Sequence, residues 1–94
     1  MIETEFEWDE EKNRINIEKH SISFDLARLI FRNSHLCKVD NRHDYGETRW
    51  QAIGSVSDII LHVTYTKRGT RIRLISARKA SKKERSAFDE YCNS

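Results

Sequence analysis

Residues 59–77 read IILHVTYTKRGTRIRLISA, and the fold class turns on them. The first part, 59–66, is rich in β-branched and aromatic side chains, the composition of a strand. The last part, 70–77, sets Ile72 and Leu74 against Arg71 and Arg73 with the period of two that marks a half-buried strand. Between them stand Lys67, Arg68 and Gly69, and a glycine supplies the positive φ that a hairpin loop needs. Two strands joined by so short a loop are antiparallel neighbours. Alternation sends Arg71 and Arg73 to one face and Ile72 and Leu74 to the other, toward the core. On the preceding strand His62 and Thr64 share a face, with Tyr65 on the opposite one.

Working outward, 49–55 carries Trp50, Ala52 and Ile53 and reads as a further strand, as does HLCKVD at 35–40. Residues 41–46 form a polar loop. Near the N-terminus Phe6 and Trp8 alternate with Glu5, Glu7 and Asp9, a short first strand. Asp9 then caps a helix over 9–20, with Glu10 and Glu11 in its first turn and Lys19 and His20 in its last, matching the helix dipole. Ser23 caps a second helix over 23–32, where Phe24, Ala27, Ile30 and Phe31 recur at helical spacing. Ser81 and Glu84 make the S-x-x-E capping box of a final helix, whose Ala87, Phe88, Tyr91 and Cys92 share one face. The order is strand, two helices, four strands, helix. It predicts an α+β fold: an antiparallel sheet with two N-terminal helices and a C-terminal helix packed on one face.

The chain has 94 residues, 37% hydrophobic and 34% charged, which bounds it to one domain over 1–94. Leu, Ile, Val and Phe supply 22 residues, too many for a disordered chain and few enough for a thin core. The longest apolar runs are three residues, so no segment spans a bilayer. The acidic start lacks the basic and apolar stretches of a secretory signal, which points to the cytoplasm. Cys37 and Cys92 have no metal-finger spacing and read as reduced thiols. Three isolated glycines build no phosphate-cradling loop, and no cofactor motif is present.

Charge is uneven. Residues 1–47 hold 7 basic and 11 acidic side chains, and residues 48–94 hold 10 basic and 4 acidic. Between Lys67 and Arg85 nine cations meet one acid, Glu84. Such an excess attracts polyanions, phosphate backbones above all. The planar forks of Arg71 and Arg73 suit phosphate. Arg78 closes the last strand, and Lys82 and Lys83 open the final helix, where the dipole adds positive charge. The alternative is that some of these arginines pair with the acidic N-terminus and brace the fold. His43 stands near Asp40, Asp44 and Glu47, but turn chemistry explains Asn41, Asp44 and Gly46, so no metal site is expected. His20 caps a helix end and His62 packs within a strand on the plainest reading of each.

Three segments together resemble one family: FEWDEEKNRINIEKHSISFDLA at 6–27, GETRWQAIG at 46–54 and YTKRGTRIRLISARKASKKE at 65–84. The pattern is similar to the BrnT toxins of bacterial type II toxin–antitoxin systems, which share the RelE-like ribonuclease fold. The resemblance covers about residues 6–90, and its C-terminal block is the most specific part. It implies a small ribonuclease that inhibits translation. It also implies a BrnA-type antitoxin with a ribbon-helix-helix DNA-binding domain, a heterotetramer of two toxins and two antitoxins, and repression of their own operon, with operator DNA touched only through the antitoxin. By position, Arg68 falls in the family's tyrosine-threonine-x-arginine-glycine turn, Arg73 and Arg78 in IRLISAR, and Lys83 and Glu84 in the opening of the last helix. Lys19 and His20 match the family's lysine–histidine pair. Glycine usually follows that pair, whereas Ser21 stands here, and a histidine often stands where Tyr65 does.

The resulting expectation is an endoribonuclease that needs no metal. Cutting RNA that way takes a base for the 2′-hydroxyl, cations for the charge on phosphate and a proton for the 5′-oxygen. Arg68, Arg73, Arg78 and Lys83 are the cations of choice. His20, His62, Tyr65 and Glu84 compete for the acid and base roles. Lys67, Arg71, Arg73 and Lys82 are expected to bind RNA. Rival readings are a non-catalytic nucleic-acid-binding module and an inactive protein-interaction module.

Overall fold

The computed structural model describes residues 4–40 and 46–93. The elements are β1 (Glu5–Glu7), α1 (Glu10–His20), α2 (Phe24–Ala27) continuing as a 3₁₀ turn (Arg28–Arg32), β2 (His35–Asp40), β3 (Arg49–Val56), β4 (Ile59–Arg68), β5 (Arg71–Lys79) and α3 (Lys82–Cys92). The polar loop expected over 41–46 lies, apart from Gly46, outside the described residues.

Each helix starts where its capping residue stands. Asp9 accepts from the Lys12 N–H at 3.0 Å and Ser23 from that of Leu26 at 3.1 Å. Both bonds of the Ser81–Glu84 capping box are made. Helix α1 ends at Ser21, which takes a left-handed φ of 59° and donates its N–H to the Ile17 carbonyl. A residue with a Cβ pays roughly 1 kcal/mol there that glycine does not.

The sheet runs β1-β5-β4-β3-β2. Strands β2 to β5 form an antiparallel meander, as their short connections require. Strand β1 departs from the all-antiparallel expectation and lies parallel to β5, with Glu5, Phe6 and Glu7 opposite Arg71, Ile72 and Arg73. The hairpin rule constrains only consecutive strands. The side chains of β1, acid-apolar-acid, complement the Arg-Ile-Arg they face.

Beyond β1, α1 takes over the edge of β5 through a single side chain. The Ala77 N–H donates to Asn16 Oδ1 at 3.1 Å, and Asn16 Nδ2 donates to the carbonyls of Ala77 and Ile22, both at 2.8 Å. Asn16 is 5% exposed. A buried carboxamide thus does the hydrogen bonding of a missing strand.

The helices do not all pack on one face. Phe24, Ala27 and Ile30 of α2 and the 3₁₀ turn bury against Ala52, Leu61, Val63, Tyr65 and Leu74 on one side. They come so close at Gly54 that a Cβ there would stand 2.9 Å from the Ile30 Cβ. Helix α3 covers the other side, seating Phe88 with Ala80 on Ile53 and Ile60. The pleat explains the split, since Ile53 and Ile60 point away from Ala52 and Leu61. The rest of this second face is polar, with Arg68 and Arg71 exposed and His62 and Thr66 buried.

Strand β5 carries a bulge that decides what that face displays. Thr64 pairs with Ser76 and Tyr65 with Leu74, so Ile75 is the extra residue. Arg73 and Arg78 are five apart and would fall on opposite faces of a regular strand. The extra residue restores Ser76 and Arg78 to the face of Arg71 and Arg73.

Candidate functional site

The second face has two cationic ends. At the hairpin tip, Arg71 lies opposite Arg68 and Arg73 opposite Thr66. Their charges are met by carboxylates: Arg71 Nε by Glu5 at 2.9 Å, Arg73 Nη1 by Glu7 at 2.7 Å, and Arg68 Nη2 by Glu47 at 3.4 Å. Glu5 and Glu7 come from β1, the acidic N-terminus of the bracing alternative, whereas Glu47 comes from the segment before β3. Lys67 points to the opposite face, where its Nζ sits 4.2 Å from the centre of the Trp50 ring.

At the other end of the hairpin, about 20 Å along the strands by their rise per residue, His62 faces Arg78 across the ladder. Glu84, at the start of α3, reaches both. Arg78 Nη1 and Nη2 donate to Glu84 Oε1 and Oε2 at 2.8 and 2.9 Å, the two-pronged arrangement that fixes a guanidinium in plane. Glu84 Oε1 also accepts the Ser81 N–H at 2.8 Å, and Oε2 lies 3.7 Å from His62 Nε2. The capping box therefore sets the carboxylate in place, and the carboxylate sets Arg78.

These contacts fix the charges. The Arg78 hydrogen bonds and the Ser81 N–H hold the Glu84 carboxyl down at about 2 against the effect of its own burial, so it is ionised. His62 is 6% exposed. Burial, then Arg78, pushes its imidazole below the ordinary 6.5, with Glu84 opposing, so the ring is neutral at pH 7. A neutral imidazole can accept a proton, whereas so acidic a carboxyl is a poor base. Arg78 is 39% exposed along its side chain, so solvent reaches it. Lys82 and Lys83 are exposed beside it, with no ion pair among the described residues.

The other acid–base candidates stand apart. Tyr65 is 3% exposed beneath the 3₁₀ turn, on the face away from His62. Burial, with Cys37 beside its hydroxyl, pushes it up to about 12. His20 ends α1 and lines a small recess with Lys19, Ile75 and Ser76 at the β5 edge. It is not part of the Arg78 cluster. Among the described residues no three His, Cys, Asp or Glu side chains are grouped to hold a metal. His43 and Asp44 lie outside the described residues.

Two residues were not singled out from the sequence. Lys38 of β2 and Gln51 of β3 are cross-strand neighbours on this face, and Lys38 is close enough to depress the His62 pKa further. Only the β2–β3 register places them there. The same cleft wall includes Leu36, Ile53 and Lys83.

A family model described as "Ribonuclease toxin, BrnT, of type II toxin-antitoxin system" matches residues 8–84. The match includes His62, Arg78, Lys83 and Glu84. No curated protein matches the chain. Among the described residues no helix is long and apolar enough to cross a membrane.

Proposed function

The chain belongs to the BrnT family of ribonuclease toxins of type II toxin–antitoxin systems, and from that premise we propose that it cuts RNA at the Arg78–Glu84–His62 cluster, as a single domain over 1–94 and without a metal. The observation that carries this reading is the ionised Glu84 clamped on Arg78 with a neutral imidazole 3.7 Å away. An RNA phosphate competes with Glu84 for the Arg78 guanidinium and draws Lys83 to its second oxygen. Loosening that pair opens a path to His62 Nε2. His62 takes the proton of the 2′-hydroxyl, the 2′-oxygen bonds to phosphorus, and the bond to the 5′-oxygen breaks. Lys83 supplies the proton that the leaving oxygen needs. Arg78 and Lys83 offset the charge that builds on the phosphoryl oxygens. Glu84 is a positioning residue rather than a base. Arg68, Arg71 and Arg73 guide the strand at longer range, and Lys82 adds a phosphate contact.

The toxin's partner is an antitoxin, as its family implies. We take it to be a BrnA-type ribbon-helix-helix protein, bound two to two, whose complex represses its own operon in the cytoplasm. Released toxin arrests translation by cutting RNA. The antitoxin is expected to cover the cationic α3 end, which blocks RNA and relieves repulsion among the cations there.

The test is to incubate purified chain with single-stranded RNA in the presence of EDTA and analyse the fragments. Cleavage with 2′,3′-cyclic phosphate ends is the expected result. Cutting only after Mg²⁺ is added, or equal cutting of DNA, overturns the mechanism. The burial of His62 favours one rival, a module that grips phosphate without cutting it. That rival predicts RNA binding with no cleavage in the same experiment.

A further inference from the structure

The cleft beside the proposed cutting site has a composition that a phosphate does not need. It measures about 310 Å³, with Leu36, Ile53 and Ala87 as an apolar wall and Lys38 and Lys83 as cations. Gln51 also lines it. Its carboxamide is half-buried and makes no hydrogen bond among the described residues. With neither its donor nor its acceptor engaged by the described residues, the carboxamide is available to a ligand that offers both.

The ladder fixes where Gln51 stands. It lies opposite Thr64, and Ile53, one pleat period along the same strand, lies opposite His62. Gln51 is therefore displaced about 7 Å from the ladder rung that carries the imidazole. A ligand bound there touches the cutting site without occupying it.

We propose that this cleft holds the nucleobase next to the scissile phosphate and that Gln51 reads its edge. A base is flat and apolar on its faces, which suits Leu36, Ile53 and Ala87. Its edge carries adjacent donor and acceptor groups, which a carboxamide matches with two parallel hydrogen bonds, the pairing used for adenine. Bases in single-stranded RNA expose the edges needed for this contact. Lys38 and Lys83 then meet the phosphates on either side. The assignment rests on the ribonuclease reading for its cut, but base binding stands or falls separately.

The test has two arms. In the first, the four homodinucleotides of DNA, which lack the attacking 2′-hydroxyl, are titrated into ¹⁵N-labelled chain, and the Gln51 side-chain amide is followed by NMR. One base is expected to shift that resonance and to bind at least 5-fold more tightly than the weakest, the lower end of what one bidentate contact provides. Gln51→Leu should level the four affinities, and Gln51→Glu, which only accepts, should reorder them. Circular dichroism checks that both variants fold. In the second arm, cut positions are mapped on a mixed-sequence RNA. Equal affinities for all four bases in the wild type, or an unchanged ranking in Gln51→Leu, overturns the base site even if RNA is cut. Selective binding that Gln51→Leu abolishes supports it even if no RNA is cut, and the failure then belongs to the ribonuclease reading.

Discussion

The two ends of the β4–β5 hairpin have similar basic residues and opposite electrostatics. At the tip, Arg68, Arg71 and Arg73 are matched against Glu47, Glu5 and Glu7. At the α3 end, Glu84 clamps Arg78, and Lys38, Lys82 and Lys83 are exposed with no ion pair among the described residues. The acids at the tip arrive from distant parts of the chain, so the excess of cations counted along the sequence is cancelled there in space. A local count measures field only where the rest of the fold leaves it uncompensated. Arg71 and Arg73 of the tip hold β1, and the α3 end is where the proposed phosphate site lies.

The sharpest way to break this contrast is to remove one arginine from each end. Arg78→Ala should lower RNA cleavage by about 10²–10³-fold, the usual cost of a lost transition-state donor. Arg71→Ala should lower it less than about 3-fold, since an exposed pair contributes little. Equal losses, measured as initial rates on proteins of matched fold, would erase the distinction between the ends. Stability sharpens it next. Asn16→Leu leaves backbone groups of Ala77 and Ile22 without partners and should cost roughly 3 kcal/mol in urea unfolding. Glu5→Gln, which loosens only the exposed tip pair, should cost under about 1 kcal/mol.

Acid should act on the α3 end. Glu84 has a folded pKa of about 2, below the ordinary 4.5, and His62 is depressed below 6.5. In both cases the unfolded chain binds the proton more readily, so stability rises with pH. The Glu84 contribution is complete above about pH 4.5 and is lost as pH falls toward 2. It is of order 2 kcal/mol after allowance for partial solvent screening. The His62 contribution is complete above about pH 6.5 and declines below it. Cleavage that needs neutral His62 should likewise fall at acid pH, with its midpoint below 6.5. In Glu84→Gln the unfolding midpoint should lose part of its dependence between pH 2 and 4.5, and an unchanged slope would contradict the assignment. The smallest effect belongs to Lys67→Ala, which should cost about 0.5–1 kcal/mol through the lost contact with Trp50. Cleavage should be unaffected, and a clear loss would return Lys67 to the RNA path.

Local chemistry made much of the fold legible. The caps at Asp9, Ser23 and Ser81 marked the helix starts, and the run around Gly69 marked the hairpin. What escaped was set by contacts between distant segments. The direction of β1 depends on a partner more than 60 residues away. Asn16 reads as an ordinary polar residue on an exposed helix, and nothing nearby in sequence shows that it closes the edge of β5. The bulge at Ile75 changes which face Arg78 joins, and the run RIRLISAR carries no glycine to announce it. The turn from β3 to β4 is similar, since Ser57 and Asp58 adopt positive φ of 50° and 65° where glycine or asparagine is the usual signal. Of the site, Arg78, Lys83 and Glu84 could be named from the last block of sequence. Lys38 and Gln51 required the β2–β3 register, and the separation of Arg68 from Arg78 required the length of the strands.

The parallel pairing of β1 with β5 also sets a schedule for synthesis. The first strand emerges early with acids on both sides of Phe6 and no partner to accept them. Its mate appears only once residues 71–73 have been made, and Glu84, which orients Arg78, follows later still. Closing a loop of that length is slow compared with forming a local hairpin. Until residues 71–84 have been made, the nascent chain has neither a complete sheet nor an ordered cluster. The Arg78–Glu84 cluster is complete only once residue 84 and the helix that holds it have been made.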